Sequence, residues 1–146
     1  MVRAAFATDV DEFNITRENT PNHPAFWELR RVEELAARGA DLIALSVAGR
    51  ILGCAFVLAS RSRPTTWELR HLAVLPEARR RGYGERIVGA SAERARAAGA
   101  TVLRIGIVAD NLRLAAWYRR LGFVSSGIAR YPSLPFSVEH FELTLA

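Results

Sequence analysis

The chain has 146 residues, half of them apolar and 24 % charged, the composition of a folded globular protein rather than a disordered or fibrous one. No stretch reaches the roughly 18 apolar residues of a membrane span, and the opening MVRAAFATDVDEF lacks the basic-then-apolar order of a secretory signal. The net charge is +5 and all twenty basic residues are arginine, which favours anionic ligands without choosing among them. A lone cysteine, Cys54, cannot form an internal disulfide, and a cytoplasmic setting is expected.

In chain order, VRAAF (2–6) reads as a short first strand. Residues 7–24 are polar, contain Pro21 and Pro24, and are compatible with some helix. Over 25–39, Phe26, Leu29, Val32, Leu35 and Ala36 recur at helical spacing, and Gly39 can end the helix. DLIALSV and RILGCAFVLAS flank the turn AGR and predict a hairpin. TTWELRHLAVL (65–75) is a further strand, stopped by Pro76. An alanine-rich helix follows over about 83–98, closed by Gly99, and then a buried strand over 101–108.

Asp110 or Asn111 can cap the next helix, in which Leu114, Trp117, Tyr118 and Leu121 form the apolar face before Gly122. FVSSGIARY and SVEHFELTL finish the chain as two strands. One domain spanning 1–146 is expected, with a mixed sheet covered by helices.

The informative stretch is LPEARRRGYGERI (75–87), where three arginines and two glycines stand at a strand-to-helix turn. A helix N-terminus offers unpaired N–H donors and a positive dipole end, and glycine lets the backbone come close or take positive φ. Arginine side chains add contacts to phosphate oxygens. The turn therefore suits a pyrophosphate. A dinucleotide fingerprint would need glycine at Ile87, and a Walker loop needs a lysine that the chain does not have.

Arg79-x-x-Gly82-x-Gly84, after HLAV and before a helix, resembles the acetyl-CoA signature of the Gcn5-related N-acetyltransferase (GNAT) superfamily. NLRLAAWYRRLGF (111–123) resembles its second motif, with Asn111, Tyr118 seven positions on and the terminal Leu-Gly-Phe; Leu114 stands where that family usually has alanine. The resemblance implies an α+β fold with a mixed, largely antiparallel twisted sheet of about seven strands and helices on both faces. It implies acetyl-CoA as acyl donor, without metal, and a primary amine as acceptor: a small molecule, an amino acid or a peptide amine. Backbone groups of Leu72, Ala73 and Val74 would pair with the pantetheine arm. Arg79, Arg80, Arg81, Gly82, Tyr83, Gly84 and Glu85 would wrap the pyrophosphate, and Asn111 would meet the pantetheine or the phosphates. A homodimer is compatible with the family.

Glu68 stands fourteen residues before Gly82, where the histone-acetylating branch of the superfamily carries its general base. Tyr118 would protonate the leaving thiolate. Each has a plainer reading: Glu68 as an exposed carboxylate in an edge-like strand, Tyr118 as a core tyrosine, Arg79–Arg81 as a solvated charge run. By strand alternation His71 should face away from Glu68 unless a bulge intervenes. Cys54 reads as a small core residue. The loops FNITRENTPNHPAFW and ARYPSLPFS would line the acceptor side. Two other classes are an acyl-CoA sensor without activity and a basic nucleic-acid-binding module. The latter lacks zinc-finger spacing, heptads or an aromatic RNP-like strand.

Overall fold

The structure is a computed structural model describing residues 1–12, 18–19, 24 and 29–145. Its elements are α1 (Val2–Glu12), α2 (Leu29–Ala37), β1 (Asp41–Val47), β2 (Arg50–Ala59), β3 (Thr66–Val74), α3 (Tyr83–Ala97), β4 (Val102–Val108), α4 (Leu112–Arg120), β5 (Val124–Arg130) and β6 (Ser137–Thr144). Six strands form one sheet in the order β1-β2-β3-β4-β6-β5. Every neighbouring pair is antiparallel except β3 and β4.

The hairpin between β1 and β2 turns on Ala48 and Gly49, both at positive φ, the geometry that matches the twist of the flanking strands. α3 and α4 cover one face of the sheet. Ile87, Val88 and Ala95 of α3 and Ala115 and Tyr118 of α4 pack there against Val57, Leu69, Leu103, Ile105 and Phe141. On the other face Leu35 of α2 meets Phe56, with Val2 of α1 beside them. Helices thus lie on both faces, as expected.

The sheet has six strands rather than seven because 2–6 is not a strand. It opens α1. Five residues are too few to tell a period of 2 from 3.6, and two alanines at its centre favour helix. Val2, Ala5 and Phe6 keep helical spacing, and Ala5 is buried. The helix expected over 25–39 appears as α2, with residues 25–28 outside the described part.

β3 is an interior strand of the sheet, not an edge. It carries a bulge: Phe56 pairs with Arg70, but Cys54 pairs with Ala73, so His71 and Leu72 oppose one residue. His71 takes φ 55° to allow it. The extra residue shifts the alternation. His71 turns its ring against Phe56, at 6.3 Å, on the face of the sheet that Arg70 and Glu68 share, and Leu72 and Val74 join the α3 side.

Candidate active site

β3 pairs with β4 only from Thr66–Glu68 to Val102–Arg104. Past those residues the two strands part, and the β4-facing edge of Leu72–Val74 is left unpaired by the sheet. A cleft of about 510 Å³ opens there. It is lined by Leu72, Ala73 and Val74 of β3, by Ala78, Arg79, Arg80, Gly82, Tyr83, Gly84 and Glu85 of the turn, and by Asn111, Arg113, Leu114, Trp117 and Arg120 around α4. Ala5, Phe6 and Glu12 of α1 close it. An unpaired strand edge and a helix N-terminus therefore face one cavity.

The turn has the geometry of an anion site. Arg80 and Gly82 both take left-handed backbone, at φ 62° and 77°, a fold that brings successive N–H groups together. Gly82 is the N-cap of α3 and provides no side-chain cap, so the first N–H groups of the helix keep no side-chain partner. The two glycines serve different needs. A side chain at Gly82 would meet nothing within 4 Å, but its left-handed φ excludes most L-residues. At Gly84 a Cβ would stand 3.2 Å from the Trp117 ring, so α3 and α4 meet there through glycine. Gly53, across from Val74, is a third: a Cβ would lie 2.9 Å from the Ala73 carbonyl oxygen and 2.7 Å from Ile87 Cδ1.

Ten of the expected cofactor residues line this cleft, and Arg81 does not. Arg79 does more than face it. Its Nε donates to the Val74 carbonyl at 3.1 Å and its Nη2 to the Ala5 carbonyl. This guanidinium ties the turn to β3 and to α1. The Asn111 side chain accepts from the Leu114 N–H at 3.1 Å and caps α4. Trp117, Arg113, Arg120 and the α1 residues were not foreseen. Trp117 belongs by periodicity to the apolar face of α4, yet it lines the cleft beside Gly84.

Glu68 and Tyr118 lie outside the cleft lining. Glu68 is the last β3 residue paired with β4, opposite Arg104. Its Oε2 accepts from Arg70 Nε at 2.8 Å and from Arg70 Nη2. Tyr118 is enclosed by Trp117, Phe123 and Phe141, with ring centroids at 4.8, 5.3 and 6.5 Å. Burial pushes its phenol far above the ordinary tyrosine value, because desolvation disfavours the phenolate.

The sheet face of Glu68 continues across β4 and β6. Arg104 pairs with Glu142, and Gly106 pairs with His140. Tyr131 Oη and His140 Nε2 are 2.8 Å apart. Burial first, and the charge of Arg104 second, hold the His140 imidazole below its usual pKa. Cys54 is buried, and desolvation pushes its thiol up to about 11, as suits a core residue. Among the described residues no group of three His, Cys, Asp or Glu side chains could hold a metal ion, and no helix is long and apolar enough to cross a membrane.

The acetyltransferase (GNAT) family model matches residues 8–123. The chain belongs to that family. No curated protein sequence matches it. Among solved structures it is similar to an N-acetyltransferase from Staphylococcus aureus (20 % identity, TM-score 0.73, 99 % of this chain and 92 % of that one). It is similar also to a ribosomal-protein-alanine N-acetyltransferase from Brucella melitensis (22 %, 0.69, 98 % and 96 %). A Bacillus subtilis acetyltransferase in complex with CoA matches at 20 %, TM-score 0.69, over 82 % of this chain and 85 % of that one. At these identities the likeness is one of fold.

Proposed function

We propose that the protein transfers an acetyl group from acetyl-CoA to a primary amine by direct attack. The observation that carries this reading is the single cleft that joins the unpaired edge of Leu72–Val74 to the left-handed turn and uncapped start of α3. The first suits the amides of a pantetheine arm, as a ladder partner. The second suits a pyrophosphate. Leu72, Ala73, Val74, the residues from Arg79 to Glu85 and Asn111 are the proposed cofactor contacts, with the Arg79 side chain as a brace and Arg81 supplying charge only.

An aliphatic ammonium has a pKa near 10.4, so freeing its lone pair at pH 7 costs about 4.6 kcal/mol. Glu68 is the proposed base, directly or through a water. Arg70 engages one of its oxygens, which leaves the other to take the proton. The amine nitrogen bonds to the thioester carbon, a backbone N–H near Val74 receives the oxyanion, and the C–S bond breaks. Tyr118 is the proposed acid for the departing thiolate. Proton transfer from a phenol to a thiolate is uphill by roughly 2 kcal/mol in water, and burial makes it steeper.

A second reading, a binding-only acyl-CoA sensor, is favoured by the same two residues: Glu68 is ion-paired with Arg70 and Tyr118 is enclosed. Thiol release from acetyl-CoA across a panel of amines separates the two. Acceptor-dependent release is the expected result; tight acetyl-CoA binding with no release above hydrolysis would favour the sensor.

A further inference from the structure

Among the described residues two buried side-chain polar atoms have no hydrogen-bond partner, and both are arginine Nε: that of Arg31 on α2 and that of Arg104 on β4. A guanidinium N–H taken out of water and left unbonded is costly, and such groups call for an explanation. Arg104 ends the short β3–β4 ladder, directly across from Glu68, where the strands part. Its ion partner is Glu142 at 3.7 Å, too long for a hydrogen bond, and the same Glu142 oxygen already accepts from Arg63. The Arg104 Nε–H is therefore left without a hydrogen bond where the β3–β4 ladder ends.

The surroundings are positive as well. The Arg38 guanidinium is pushed below its usual value by burial and then by Arg61, Arg70 and Arg31, with Glu68 opposing them. Glu68 itself has arginine on two sides in the sheet, Arg70 two residues on in β3 and Arg104 opposite it in β4. A simple ammonium, and still more a polyamine, would be repelled there. A zwitterion would not: its carboxylate meets the guanidinium, and its amine is left beside Glu68.

We propose that the acceptor is an amine that carries a carboxylate, as an amino acid does, and that Arg104 receives that carboxylate. This deepens the acetyltransferase reading and rests on it. The amine proton still leaves to Glu68; Arg104 binds and orients the substrate and takes no part in the bond changes.

The test is thiol release with a panel of amino acids, the amide of each, 1,4-diaminobutane and O-phosphoethanolamine, with acetyl-CoA binding titrated on the same samples. The best amino acid should exceed its own amide by about 10- to 100-fold in kcat/KM. Arg104→Met should erase that preference, mainly through KM, and Arg104→Lys should recover part of it. Should Arg104→Met fail to fold, the wild-type preference and its weakening in Arg104→Lys decide. Amide or diamine used as well as the amino acid would overturn the proposal, as would an Arg104→Met protein that still discriminates. Phosphoethanolamine preferred over every amino acid would overturn it in favour of a phosphate. Normal acetyl-CoA binding with no amino acid turned over would overturn it too. Failure of acetyl-CoA itself to bind would instead sink the acetyltransferase reading.

Discussion

The two sides of the splayed sheet are built differently. On the α3 side the cleft is made largely of backbone: an unpaired strand edge, a left-handed turn and a helix start, all within residues 72–85. On the α2 side the residues around Glu68 are side chains gathered from α2, β3, β4, β6 and the loop after β5. The first side depends on φ angles and glycines. The second depends on charges held in a particular order. A substitution should therefore act on affinity for the cofactor on one side and on acceptor chemistry on the other, and an experiment that mixes the two outcomes would break the division.

The largest effect on rate should come from Glu68→Gln. It keeps shape and loses proton acceptance, so turnover at pH 7 should fall by roughly 10²–10⁴-fold, while acetyl-CoA affinity stays the same. The loss should shrink toward high pH, where the amine is already neutral. A pH–rate profile checks this, and equal activity of the two proteins at pH 7 would assign the proton to another residue or to water.

A smaller effect is expected from Tyr118→Phe, roughly 10- to 100-fold in turnover, at the weak end of general-acid effects, since a thiolate can leave unaided. The ring contacts with Trp117, Phe123 and Phe141 should keep the fold. The same variant has a stability signature. The native phenol resists ionisation, whereas the unfolded one ionises near 10. Below that pH the native advantage is whole; above it the unfolded state is favoured as pH rises. Tyr118→Phe should flatten this alkaline loss, read from urea midpoints between pH 9 and 11. Cys54, pushed up to about 11, would leave a residual slope in the same window. Full turnover with an unchanged alkaline limb would return Tyr118 to the core alone.

The difference between the two sides also explains what could be read beforehand. Arg79-x-x-Gly82-x-Gly84 encodes its own geometry, because the residues that need freedom and those that carry charge are contiguous. The strands and helices from β1 onward followed from periodicity and breakers. α1 did not, because VRAAF is too short to fix a period and its helix is secured by tertiary contacts: Val2 against the Phe56 cluster and the Ala5 carbonyl on Arg79. The bulge at His71 has no sequence signature, since nothing in ELRHLAV asks for positive φ. Trp117 and Gly53 were invisible for a related reason: each matters through one partner distant in the chain, Gly84 for the first and Ala73 with Ile87 for the second. Arg104, on a different strand from HLAV, becomes noteworthy only once β3 and β4 are seen to part beside it.

The central claim is that the turn before α3 holds the pyrophosphate of acetyl-CoA. Calorimetric titration of acetyl-CoA into the wild-type protein, Gly82→Val and Glu68→Gln tests it most directly. Gly82→Val is the clean variant, because its side chain would meet no neighbour and would act only by forcing a β-branched residue away from left-handed backbone. The predicted result is binding to the wild type and to Glu68→Gln with the same affinity, and a loss of at least about 100-fold, or close to 3 kcal/mol, in a Gly82→Val protein that remains folded. Unchanged affinity in folded Gly82→Val, or no binding to the wild type, would contradict the account.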